Sequence, residues 1–137
     1  MYKILVVDDE SIEREGISFL IEKYKFPLEV AQATNGKTAL EYMRTHPIDI
    51  LLTDVKMPQM DGLELARHTF EKYPDVRILV FSAYGEFEFA KKAMAAQAVS
   101  YLLKPIEVDE FQRVMTQIIA QCDELSEKKK DEQHSSA

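Results

Sequence analysis

The chain has a single cysteine, Cys122, among its 137 residues, so no internal disulfide can form and a reducing cytosol is the plain expectation. No apolar stretch reaches the roughly 18 residues that a bilayer-spanning helix needs, which speaks against a membrane protein. The N-terminus lacks the charged-then-apolar pattern of a secretory signal. A surplus of positive charge is missing too. Seventeen Lys and Arg face 24 Asp and Glu, and a formal charge of -7 opposes direct binding to a nucleic-acid backbone. His46, His68 and His134 share no metal-ligand spacing and are assigned no role.

What is present is a regular alternation of short apolar runs with helix-period segments. With 46% apolar residues the chain can bury the core of one domain. Strand-like runs are Ile4 to Val7, Leu28 to Ala33, Ile48 to Asp54, Val76 to Phe81 and Val99 to Leu103. Ser11 is placed to cap a first helix with apolar positions Ile12, Gly16, Phe19, Leu20 and Tyr24. Asn35-Gly36 signals a turn before a helix carrying Ala39, Leu40 and Met43, which Pro47 stops. Val55 to Gly62 reads as a loop, Leu63 to Tyr73 and Glu86 to Ala96 as helices, and a last helix follows Pro105. Five βα units in this order imply an α/β fold, a parallel sheet wrapped by helices on both faces. Ligands of such sheets bind beyond the carboxyl ends of the strands.

Those ends carry the chemistry. Asp8 and Asp9 close the first run, Asp54 the third, Ser82 the fourth and Lys104 the fifth. Carboxylates gathered at one edge repel unless a cation compensates, and a hard divalent ion with oxygen ligands, Mg²⁺, meets that need. Asp9 and Asp54 are the expected direct ligands, with Asp8 acting through water and the backbone carbonyl of Lys56 completing the protein's share. Asp54 can then serve as a nucleophile forming an aspartyl phosphate, Lys104 can bind one phosphoryl oxygen, and Ser82 can donate to another. Alternatives on the same architecture fit less well. A flavin site would want a glycine- and hydroxyl-rich loop after the first strand, where Asp8-Asp9-Glu10 stand. A hydrolase of the haloacid dehalogenase type would want a second Asp at position 56, which is a lysine.

The residues Val7-Asp8-Asp9-Glu10, Asp54 with Met57-Pro58 and Met60-Asp61-Gly62, Ser82-Ala83, and Tyr101-Leu102-Leu103-Lys104-Pro105 occur in this order. Through them the chain resembles the receiver domain of two-component response regulators, over roughly Tyr2 to Leu125. The resemblance implies a flavodoxin-like doubly wound (βα)5 sandwich with strand order 2-1-3-4-5. It also implies a signalling domain that catalyses only its own phosphorylation and dephosphorylation. Asp54 would accept a phosphoryl group from a sensor histidine kinase with Mg²⁺ held by Asp8, Asp9 and Asp54. Ser82 and Tyr101 would form the switch and Lys104-Pro105 a cis peptide. Ser82 to Ala90 is similar to receivers joined to AraC-type DNA-binding output domains, which makes transcription the expected output. Homodimerisation is open, because Val99-Ser100 lacks the acidic residue many members carry before the switch aromatic. Residues 1–125 are thus read as the receiver domain. The charged segment 126–137 is read as a disordered tail or the start of an interdomain linker. The apolar stripe of the last helix reaches Cys122 and Leu125, which are read as outlasting the sheet. Lys56 and Tyr84 are placed to lean over the site and limit hydrolytic water.

Overall fold

A computed structural model of the chain describes residues 1–93, 95 and 99–135, leaving aside the side chains of Tyr84, Phe89 and residues 132–135. The elements are β1 (Tyr2–Val7), α1 (Ser11–Lys23), β2 (Leu28–Ala33), α2 (Gly36–Thr45), β3 (Ile50–Asp54), α3 (Gly62–Lys72), β4 (Arg77–Ala83), α4 (Tyr84–Ala93), β5 (Val99–Lys104) and α5 (Val108–Ser135). All five strands are parallel, in the order β2-β1-β3-β4-β5. This is the doubly wound α/β sheet expected.

The period of two along each strand divides the core. Ile4 and Val6 of β1, Ile50 and Leu52 of β3, and Leu79 and Phe81 of β4 face a layer built from Ile17 and Ile21 of α1 and Phe111, Val114, Met115, Ile118 and Cys122 of α5. Leu5, Val7 and Leu51 face Ala39 and Met43 of α2 and Leu65 of α3. Ile78 and Val80 pack against Leu63, Ala66 and Ala90. Central strands buried on both faces explain why β1 and β3 read as unbroken apolar runs.

Several local expectations are corrected. The N-cap of α1 is Glu10, with no side-chain cap bond, and Ser11 is the first helical residue. The buried face of α1 is Ile17 and Ile21 with Leu20 beside them, whereas Ile12 is 75% and Phe19 61% exposed. Cys122 is buried in the α1–α5 core and does not project beyond it. From Ser126 the chain continues α5 as helix to Ser135. The Lys129 ammonium lies 3.1 Å from Asp75 Oδ2 and ties this extension back to the β4 approach. The expected helix from Glu86 to Ala96 starts two residues earlier, at Tyr84, and its far end lies outside the described residues.

Asn35 and Asp61 cap α2 and α3, each side chain accepting a backbone N–H three residues on. Gly62 is needed for a different reason than conformational freedom, since no glycine has positive φ. Its Cα sits against the backbone of Asp54, and its N–H donates to the Val55 carbonyl at 2.8 Å. A Cβ there would lie 1.8 Å from the Asp54 carbonyl oxygen. Gly62→Ala is therefore expected to lower stability by about 1–3 kcal/mol in urea titration, because the clash is with backbone and no rotamer relieves it.

Candidate functional site

Strand register assembles the site. Val7 stands opposite Thr53, Asp54 opposite Phe81, and Ala83 opposite Lys104, so Asp8, Asp54, Ser82 and Lys104 arrive at one edge of the sheet. Lys104 Nζ lies 3.3 Å from Asp54 Oδ1 and 3.7 Å from Asp8 Oδ2. Carboxylate oxygens of Asp8, Asp9 and Asp54 lie within 4.8 Å of one another. Asp8 and Asp54 are buried and Asp9 is exposed, so the cluster opens to solvent on the Asp9 side. The Lys104-Pro105 peptide is cis.

One cation does not balance this cluster. Burial, aided by the charges of Asp54 and Asp9, pushes the Asp8 carboxyl up to about 6 from 3.8, against the pull of the Glu10 N–H and Lys104. Burial likewise raises Asp54 above the usual carboxylate range, opposed by Lys104 and by the N–H groups of Val55 and Lys56. Burial pulls the Lys104 ammonium down, but Asp54 and Asp8 together outweigh it and the net shift is upward. Among the described residues, the buried atoms Asp8 Oδ2 and Ser82 Oγ find no hydrogen-bond partner. Unpaired buried oxygens beside surplus negative charge suit a hard divalent cation and, at Ser82, a ligand that accepts a hydrogen bond. The donor set is all oxygen, which fits Mg²⁺ better than a soft metal.

A cavity of about 530 Å³ leads to Asp54, lined by Asp9, Glu10, Lys56, Met57, Pro58, Ala83, Glu86 and Lys104. Lys56 is exposed in this wall, and its N–H faces the Asp54 carboxylate. Ser82 is 1% exposed and lies behind the wall. Tyr101 is half-buried on the β5 face toward α4, its ring edge-on to Phe87 with centroids 5.9 Å apart. The Tyr84 side chain lies outside the described residues.

Two parts of the site were missed by sequence reasoning. Glu86, in the first turn of α4, adds an acidic group to the cavity wall beside Glu10 of the Val7-Asp8-Asp9-Glu10 motif. Arg14 Nη1 donates to the Asp8 carbonyl at 2.6 Å and its Nε to Gln32 Oε1 at 3.0 Å, so α1 grips the loop that carries Asp8 and Asp9.

Comparison with known proteins places the chain among signalling proteins. Residues 4–116 match the response regulator receiver domain model. The chain is 39% identical over 135 residues to the uncharacterized transcriptional regulatory protein YesN of Bacillus subtilis, a match covering 98% of the chain and 37% of YesN. It is 33% identical to the response regulator GacA of Pseudomonas aeruginosa, covering 88% of the chain and 56% of GacA. The chain thus spans about a third to a half of these relatives. Among solved structures, the REC domain of AraT, a response regulator from Geobacillus stearothermophilus, superimposes with a TM-score of 0.81 at 37% identity, covering 93% of this chain and 98% of that one. The two-component transcriptional regulator AraC from Clostridium phytofermentans gives 0.81 at 34% identity, covering 90% and 97%.

The raised Asp8 carboxyl makes metal-free stability depend on pH. Its folded value, about 6, exceeds the unfolded 3.8, so the stabilisation is complete below about pH 4 and is lost as pH rises through 6. Asp8→Asn keeps an acceptor for the Glu10 N–H and removes the charge. In chelator-treated samples it should melt above the parent at pH 7, with the difference shrinking towards pH 4. An unchanged difference across that range would contradict the burial of an uncompensated carboxylate.

Proposed function

The chain belongs to the response regulator receiver domains, and from that membership we propose that it is a phosphoacceptor switch of a two-component system, working in the cytoplasm, in which Asp54 takes a phosphoryl group from a phosphohistidine on a sensor kinase. The observation that carries this reading is the pairing of a buried, cavity-lining Asp54 with Lys104 at 3.3 Å beside the acidic cluster. An Asp54 oxygen bonds to phosphorus as the phosphorus–nitrogen bond breaks. The released imidazole keeps the electron pair and takes a proton from water. Asp8, Asp9, Asp54 and the Lys56 carbonyl would hold Mg²⁺. When bound, that ion supplies positive charge against the transferring oxygens.

The remaining residues act on the product. Lys104 moves its ammonium from the Asp54 carboxylate to a phosphoryl oxygen, and the Ser82 hydroxyl gains an acceptor. Drawing Ser82 toward the phosphoryl group alters packing behind it, and Tyr101 with Phe87 is the half-buried aromatic pair placed to respond. Phosphorylation thereby shifts the population of two conformers with different partner surfaces. If the chain is part of a longer regulator, α5 would lead to an output domain, and by likeness to transcriptional regulators that domain would bind DNA and control transcription. Homodimerisation would be a means of presenting it.

The kinase must approach the open side of the cluster. There α1 starts two residues after Asp9 and shows solvent two large apolar side chains, Ile12 and Phe19, on the face its core does not use. A donor helix laid against them would bring its phosphohistidine to the cavity mouth.

Two measurements test these statements. Incubation with acetyl phosphate should add one phosphoryl mass to the parent only with Mg²⁺, and none to Asp54→Asn; a gain on the mutant would refute Asp54 as acceptor. Phe19→Glu should slow transfer from the phosphorylated kinase at least about tenfold while leaving the acetyl phosphate rate intact, as expected for loss of a central apolar anchor. Equal slowing of both rates would place the defect in the chemistry and not in docking.

A further inference from the structure

Lys104 has a third contact besides its two carboxylates. Its Nζ stands 4.4 Å from the centroid of the Phe81 ring, inside the ~6 Å range over which an aromatic face attracts a cation. Phe81 is wholly buried. It sits in β4 between Asp54 of β3 and Leu102 of β5 in register, with its side chain in the α1–α5 layer. The ring therefore meets the ammonium from the core side, where no water can solvate it.

A lysine head on a flexible four-carbon stem is costly to hold in one place. Lys104 is 22% exposed along its side chain, so solvent is within reach. Its separation from Asp8 Oδ2, 3.7 Å, exceeds hydrogen-bond length. An aliphatic floor at position 81 would desolvate the ammonium and return nothing, whereas an aromatic face offsets part of that loss electrostatically.

We propose that Phe81 is a positioning residue for phosphoryl transfer, its ring face holding the Lys104 ammonium at the junction of Asp54 and Asp8 so that the cation is in place when the phosphoryl oxygen arrives. This rests on the reading of Lys104 as the group that receives that oxygen. A charge placed before the reaction adds no reorganisation during it.

The test separates ring electronics from ring size. Position 81 is replaced by 4-fluorophenylalanine and by 3,4,5-trifluorophenylalanine, which keep the shape of the ring and progressively drain its face of electron density, with Phe81→Leu alongside. Mg²⁺-dependent affinity for beryllofluoride, a phosphoryl mimic, and the acetyl phosphate concentration at half-maximal rate are measured on each. Affinity should fall in order of fluorination, by about two- to tenfold for the trifluoro ring, with melting temperatures close to the parent's. Equal affinity across the fluorinated series overturns the proposal, since Phe81 then only fills space, whatever Phe81→Leu does. A parent chain that binds no beryllofluoride with Mg²⁺ overturns the phosphoacceptor reading, and the Phe81 role falls with it. A normal parent with an indifferent fluorinated series removes the Phe81 role alone.

Discussion

Everything at the carboxyl edge of the sheet depends on one imbalance, the confinement of buried Asp8 and Asp54 with a single ammonium. In a poorly solvated site unlike charges attract strongly and like charges cannot be ignored. Lys104 satisfies Asp54 better than Asp8, as the two separations show, and the Asp8 oxygen facing it has no hydrogen bond. The cluster is therefore built short of one cation. That shortage costs stability in the metal-free chain, and under the proposed function it gives a divalent ion and a phosphoryl group a reason to bind together, each correcting the charge the other leaves.

Holding such a cluster requires a stiff frame, and the sheet supplies it. Asp54 is the last residue of a strand buried on both faces, and behind it Gly62 brings the start of α3 close enough that a single added methyl group would strike its carbonyl. Arg14 anchors the Asp8 carbonyl from α1. The acidic side chains thus have little freedom to swing apart. Mutual repulsion is converted into affinity for cations instead of being relieved by movement.

The strands and the residues meeting at their edge were legible in the apolar runs, because such a run closed by a polar residue has few other meanings in a βα repeat, whereas the sheet order came only with the family resemblance. What was not legible depended on which helix face turns inward. On α1 the spacing of Ile12, Gly16 and Phe19 is as helical as that of Ile17 and Ile21, and periodicity alone cannot say which of two stripes meets the sheet. Charge content after residue 125 was read as a tail or the start of a linker and did not show where α5 stops; a helix already nucleated over four turns continues cheaply, and Lys129 finds Asp75. The tight seat of Gly62 against the Asp54 backbone was not legible either, because a sequence shows what a residue permits locally and not what presses against it. Phe81 appeared only as the end of a strand-like run for the same reason: its contact with Lys104 joins two strands and appears only in three dimensions.

The size of the proposed switch can be bounded from the same residues. Giving the buried Ser82 hydroxyl its missing partner is worth roughly 1–3 kcal/mol, which shifts a two-state ratio by about 5- to 150-fold. Inverting a 1:99 population to 99:1 needs about 5.5 kcal/mol. Ser82 alone therefore cannot carry a full inversion. Either the resting chain already visits the alternative state at the level of several per cent, or the transfer of Lys104 from Asp54 to the phosphoryl group contributes a comparable share. The second source is available only if the ammonium has been held beside Asp54 beforehand. The strength of the switch and the grip on Lys104 are then two aspects of one constraint.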